Sequence, residues 1–81
     1  MEEFKSWRDI KEWCEEHGFE KTARRMQINN DCWVSSGEFG RSQKFICDAL
    51  RFAESEEERE EVGRQLEEAM ATDELIELGV I

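Results

Sequence analysis

The chain has 81 residues, 38% hydrophobic and 40% charged, with no proline and no tyrosine. That length allows one domain, residues 1–81, and excludes folds that need two lobes or a large sheet. Acidic side chains outnumber basic ones by 21 to 11, and the resulting charge of −10 argues against general binding to nucleic acid or to anionic membrane surfaces.

A mean hydropathy of −0.80 points toward disorder. Three Trp, five Phe and many Ile and Leu oppose it, because they recur at helical spacing and can form a small core. A chain of this size buries only about 60–65% of its unfolded surface. Self-association would help such a core, so a homodimer stays open. No run approaches the ~18 apolar residues of a membrane span. The segment Met1-Glu2-Glu3-Phe4 is acidic where a signal peptide would be basic, and the expected location is cytoplasmic.

In chain order, Ser6 is an N-cap candidate with Asp9 three residues on, and Trp7, Ile10, Trp13 and Cys14 form an apolar stripe. His17 and Gly18 end this first helix. Gly18 suits the left-handed C′ position, with Phe19 folding back toward Cys14 in a Schellman motif. A second helix is expected from about Glu20 to Asn30, with Phe19, Ala23, Met26 and Asn30 on one face and Asn29-Asn30-Asp31 as its stop. Cys32-Trp33-Val34 is a short bridge. Ser35 with Glu38 fits a capping box, but Gly37 to Ser42 reads as a turn, and the stronger helix start is near Ser42. From there Phe45, Ile46, Ala49, Leu50 and Ala53 give a core stripe. Ser55 with Glu58 is another capping box, followed by Val62, Leu66, Ala69 and Met70 as a buried stripe. Thr72 caps a last short helix carrying Leu75, Ile76 and Leu78, closed by Gly79, and Val80-Ile81 docks on the body. The expectation is an all-α domain of four to five short helices.

The charge is unevenly spread. Residues 1–53 sum to −1 and residues 54–81 to −9. At about 100° per residue, Glu57, Glu60, Glu61, Glu67 and Glu68 fall opposite the Val62 stripe with only Arg64 among them, and Glu74 continues the acidic segment. A solvated, solubilising face is one reading. The other is a surface that imitates a phosphate backbone, with carboxylates recurring every ~5.4 Å along the helix against ~3.4 Å between phosphates on one strand. In size and charge the chain resembles small acidic proteins of mobile elements, among them anti-CRISPR proteins and restriction inhibitors. That resemblance implies a phage-encoded inhibitor acting in the host cytoplasm. Its partner would be a basic nucleic-acid-binding protein, such as a CRISPR effector, held by Glu57, Glu60, Glu61, Glu67, Glu68 and Glu74.

Other motifs are weighed against plainer readings. Cys14 and His17, with Cys32 and Cys47, have the ligand types of a Cys₃His zinc site but not its two close ligand pairs. The cysteines read instead as small buried side chains in a reducing compartment. Gly37-Glu38-Phe39-Gly40 contains a bare G-x-x-G, opposed as a phosphate clamp by Glu38. Thr22-Ala23-Arg24-Arg25-Met26-Gln27-Ile28-Asn29 resembles the second helix and turn of a lambda-repressor-like helix-turn-helix, and Val34-Ser35-Ser36-Gly37-Glu38-Phe39-Gly40 resembles its recognition helix and exit. That resemblance implies a DNA-binding regulator with Ser35, Ser36 and Arg41 near the groove and Arg24 or Arg25 near phosphate. Trp7 and Trp13, with Phe4 nearby, either fill the core or offer a partner an aromatic anchor. One His, no Tyr and no metal set leave no constellation for catalysis. The first expectation is therefore a non-enzymatic interaction protein without cofactor or metal. The alternatives are the helix-turn-helix regulator and a structural homodimer.

Overall fold

Among the described residues four helices form, in the order α1 (Trp7–Glu16), α2 (Glu20–Cys32), α3 (Gly37–Arg51) and α4 (Glu56–Glu77). The computed structural model describes residues 2–32, 37–77 and 79, and for 37–39 and 74–77 it describes the backbone only. The described residues are helical with no strand, and the Cα radius of gyration is 12.5 Å, against about 12 Å for a compact chain of this length. No helix among them is long and apolar enough to cross a membrane.

Helix starts are closed by carboxylates that reach back four residues. Ser6 holds the N-cap of α1 in an extended conformation but makes no side-chain bond to the helix. Asp9 instead accepts from the Lys5 N–H at 2.9 Å. At α4, Ser55 Oγ accepts from the Glu58 N–H at 3.1 Å, and the Glu58 carboxylate accepts from the Glu54 N–H at 2.8 Å. Both first turns also place a carboxylate where the helix dipole favours it.

The end of α1 is a complete Schellman motif. Gly18 has φ +80°, Phe19 N–H donates to Cys14 O at 2.7 Å, and Gly18 N–H donates to Glu15 O at 3.2 Å. The accompanying apolar contact is Phe19 against Trp13, with ring centroids 5.7 Å apart.

Helix α2 is the central element, packed on α1, α3 and α4. Its buried face is therefore wider than a single stripe, and it is centred on Thr22, Ala23, Met26 and Asn29 rather than on Asn30, which is half-buried. The helix also runs through Asn29-Asn30-Asp31 to Cys32. The Asn29 and Asp31 side chains do not compete for the local backbone, because they bond other side chains. Asn29 Nδ2 donates to Ser42 Oγ at 3.1 Å, Gln43 Nε2 donates to Met26 O at 3.2 Å, and Gln27 bonds Asp31 at 3.0 Å. Asn29 Oδ1 is buried with no hydrogen-bond partner among the described residues.

Helix α3 is already formed at Gly37, so the Gly37–Ser42 stretch is helical rather than a turn, and Ser42 is an interior residue that bonds Asn29. Ser35, Trp33 and Val34 lie outside the described residues. The core side of α3 is Ile46, Cys47 and Leu50, with Ala53 just beyond its end; Phe45 is 65% exposed. Adjacent residues diverge by about 100°, so Phe45 and Ile46 cannot share a centre, and the approach of α1 and α2 selects the Ile46–Cys47 side.

Helix α4 is one continuous helix, without the break expected at Thr72. The Thr72 hydroxyl donates to Glu68 O at 3.1 Å, satisfying itself within the helix. Gly79 then takes φ +76°. The side chains of Leu75, Ile76 and Leu78 and the Val80-Ile81 pair are outside the described set. Along α4 the buried positions are Arg59, Gly63 and Leu66, with Val62 and Met70 half-buried; Ala69 faces solvent.

Two of those positions explain the register. Arg59 is 3% exposed. Its guanidinium donates to Glu2 O at 2.7 Å and to Leu50 O at 3.3 Å, and lies 4.1 Å over the Phe4 ring. One cation thus ties the amino-terminal segment and the carbonyl end of α3 to α4. Gly63 allows contact with the aromatic core: a Cβ there would lie 2.6 Å from Phe19 Cε2 and 3.0 Å from Trp13 Cζ3. Trp13 is held in turn by Phe4 edge-on at 6.1 Å and by stacked His17 at 4.2 Å, so its ring has no free direction to move.

An open helical position would gain about 1 kcal/mol from Gly→Ala. Forcing a methyl against fixed rings costs about 1–3 kcal/mol. Gly63→Ala is therefore expected to lower the urea midpoint, and the loss should shrink in a Phe19→Leu background. A midpoint raised by Gly63→Ala alone would contradict this packing.

Candidate functional site

The six carboxylates singled out from the sequence do not share one fate. Glu57, Glu60, Glu61 and Glu68 are exposed on the outer side of α4. The Glu74 side chain is outside the described residues. Glu67 turns inward and is half-buried. Its Oε2 accepts from the Lys21 N–H at 3.0 Å, and its Oε1 accepts from the Thr22 N–H at 2.8 Å and the Thr22 hydroxyl at 2.9 Å.

The reason lies in the start of α2. Phe19 precedes Glu20 there and has no oxygen to offer the first amides. Glu67, from another helix, supplies the missing cap and sits on the positive end of the α2 dipole. Its charge is spent on the fold and does not belong to the outward set.

The outward set is only partly neutralised. Arg64 pairs with Glu61, which also accepts from Gln65 Nε2 at 3.2 Å. Glu60 Oε1 is 3.5 Å from His17 Nε2. His17 Nδ1 donates to Trp13 O at 2.8 Å, which fixes the ring across the end of α1. Four carboxylates thus stand on this side of α4 beside one guanidinium.

These groups border a hollow of about 460 Å³ lined by His17, Phe19, Glu57, Glu60, Glu61 and Arg64. His17 and Phe19 lie nearly parallel, 16° apart with centroids at 6.2 Å, and form its aromatic wall. Carboxylates beside an aromatic wall suit a guanidinium or ammonium group, through charge and the ring quadrupole together.

A second acidic hollow of about 280 Å³ lies at the other end of the same aromatic row. Glu2, Glu3, Asp9, Glu12 and Glu16 border it together with Lys5, over Phe4 and Trp13. The near-neutral total of residues 1–53 hides this flank, because it also counts Lys21, Arg24 and Arg25 on α2 and Arg41, Lys44 and Arg51 on α3. The signal available in the sequence was Glu12 and Glu16 at i, i+4 after Glu2 and Glu3, a cluster on one side of the first helix.

The buried cysteines and Trp13 serve the core. Cys14 and Cys47 are buried in the core and Cys32 is half-buried at the end of α2. Burial above all, with the Glu67 carboxylate, Cys47 and Glu15 adding to it, pushes the Cys14 thiol up to about 12. Burial also raises Cys47, against the opposing effect of Arg51. Both are therefore neutral thiols rather than nucleophiles at physiological pH. Among the described residues no three His, Cys, Asp or Glu side chains converge on a metal position. Trp13 fills the core, Trp7 packs half-buried against it, and Trp33 lies outside the described residues. Of the helix-turn-helix candidates, Arg24 and Arg41 are exposed, and Ser35 and Ser36 are outside the described residues.

Comparison of the chain with protein-family models, with curated proteins and with solved structures gave no match.

The division of roles on α4 has a measurable consequence. Glu67→Gln should lower unfolding free energy by about 1–2 kcal/mol, since a charge-assisted cap is lost. Glu57→Gln and Glu68→Gln should change it by less than about 0.5 kcal/mol, because each removes an exposed charge from a repelling set. Urea unfolding of the three variants in low salt checks this. Equal effects at all three positions would contradict the inward assignment of Glu67.

Proposed function

We propose that this is a non-enzymatic interaction protein whose acidic surface, formed by the outer face of α4 and the neighbouring flank of α1, binds and blocks a basic nucleic-acid-binding protein. The observation that carries this reading is the exposed set Glu57, Glu60, Glu61 and Glu68, opposed by Arg64 alone and bordering the His17–Phe19 hollow. Such a face attracts a cationic groove over several ångströms and raises the rate of encounter. Once docked, arginine or lysine side chains that would otherwise hold phosphates are held by carboxylates, and the groove is closed to nucleic acid.

The physical cost of the surface supports the reading. Like charges at i, i+4 destabilise a helix by a few tenths of a kcal/mol per pair. Glu57 and Glu61 form such a pair, and Glu60 lies beside them, in a small domain with little stability to spare. A mobile-element inhibitor of the anti-CRISPR kind is the concrete form of the proposal, with a CRISPR effector among its candidate targets. The host cytoplasm is the corresponding location.

The test is displacement of a labelled DNA duplex from basic nucleic-acid-binding proteins, a CRISPR effector complex among them, by the full chain. The expected result is displacement that weakens steeply as salt rises. Lys replacing Glu57, Glu60, Glu61 and Glu68 together should weaken it by about a hundredfold or more, with helical content unchanged. Displacement that ignores the four substitutions would contradict the proposal. So would direct binding of the chain to free duplex that is lost on replacing Arg24 and Arg25, which is the behaviour of a DNA-binding regulator.

A further inference from the structure

We propose that the hollow bordered by α1, α2 and α3 is a binding site for a small aromatic carboxylate. Its volume is about 360 Å³, within the span of about 300–1,000 Å³ that small-molecule sites occupy. Helix α3 lines it with Gly40, Gln43, Lys44, Cys47, Asp48 and Arg51. Residues three and four apart share one side of a helix, so these form a single wall. Trp7 of α1 and Asn30 of α2 complete the border. The site is thus framed by three helices that pack on one another.

The lining defines the ligand. Trp7 is half-buried and packed against the core, so it offers an aromatic contact already held in place. Cys47, 7% exposed, adds apolar surface. Its thiol is neutral, so the contact is non-covalent. Asn30 is half-buried, and its side chain makes no hydrogen bond among the described residues. That leaves an amide to orient a polar group of the ligand.

Charge makes the remaining selection. Lys44 and Asp48 hold one another at 2.6 Å. Arg51, exposed in the last turn of α3, has no acidic partner among the described residues. The charged side chains of the lining therefore sum to +1 on a chain of charge −10. Arg8 brings a further guanidinium to within 5.7 Å of the Trp7 ring centroid. A guanidinium fork holds a carboxylate through two parallel hydrogen bonds. One excess positive charge matches a monoanion and would leave a phosphate dianion half-compensated. The sign is opposite to that of both acidic hollows, so a cation of the same shape is directed away from this site.

The inference is independent of the acidic-surface reading. Titration of the isotope-labelled full chain with sodium naphthoate, followed by two-dimensional NMR, tests it. The expected result is a saturable shift of the Trp7 indole N–H and of the Asn30 side-chain amide, with Kd below about 1 mM. Naphthylmethylammonium chloride, the same ring with a cation, should leave both signals in place. Arg51→Glu should weaken naphthoate binding by about tenfold or more. Arg51→Gln, which removes the fork without inverting the charge, should weaken it in the same direction by less. Arg51 is exposed, so helical circular dichroism and the urea midpoint should be retained in both variants. Absence of these shifts up to about 10 mM naphthoate overturns the proposal. So does an equal response to the ammonium probe, or a Kd unchanged in both Arg51 variants. Shifts centred on exposed Phe45 and Phe52, the mark of unselective adsorption to surface rings, overturn it as well.

Discussion

The fold depends on three residues of α4 spaced four apart, Arg59, Gly63 and Glu67, which lie on one stripe of the helix. Gly63 sets the distance, because its missing side chain lets α4 contact the Phe19 and Trp13 rings. Arg59, one turn earlier, reaches the carbonyls of Glu2 and Leu50. Glu67, one turn later, reaches the first amides of α2. Each bond satisfies groups that a short helix or an extended segment cannot satisfy for itself. Rotating α4 by one residue would break all three at once. The orientation of its remaining carboxylates follows from this stripe.

That arrangement accounts for how a small domain carries its excess charge. The inward charges are Arg59 and Glu67, one of each sign, and both are hydrogen-bonded by backbone. Buried ions in such settings are acceptable because dipoles and hydrogen bonds replace lost water. The outward charges of α4 are nearly all of one sign. The aromatic row of Phe4, Trp13, His17 and Phe19 runs between the two acidic hollows and is common to both. The molecule thus presents carboxylates around a rigid apolar ridge, while residues 40–53 carry Arg41, Lys44 and Arg51 against Asp48 alone. Helix α2 contacts α1, α3 and α4, and α3 also packs directly on α1 and α4.

Local chemistry made much of the architecture legible in the sequence. Gly18 after His17 specified the end of α1 down to the residue, since a left-handed glycine followed by an aromatic side chain has few other uses there. The Ser55 and Glu58 spacing located the start of α4. The failures were tertiary. Phe45 and Ile46 are equivalent by hydropathy, and only the position of the neighbouring helices separates them. Asn29 looked like a breaker because nothing local showed that Ser42 would take its hydrogen bond. Glu67 looked like one more solvated charge, because the amides it caps are 45 and 46 residues away. The sum of charges over residues 1–53 concealed the acidic flank of α1, since a net value says nothing about which face each charge occupies.

The claim on which this account turns is that the outer face of α4 projects a negative field that the chain's own cations leave largely uncancelled. Paramagnetic relaxation of the backbone amides by a positively charged and by a negatively charged nitroxide probe, compared at equal concentration, reads that field directly and needs no partner. The account predicts that the cationic probe outweighs the anionic one several-fold at the amides of Glu57, Glu60, Glu61 and Glu68, and that the preference falls away or reverses along Arg41–Arg51 of α3. Equal effects of the two probes on α4, or the same ratio on both helices, would contradict it.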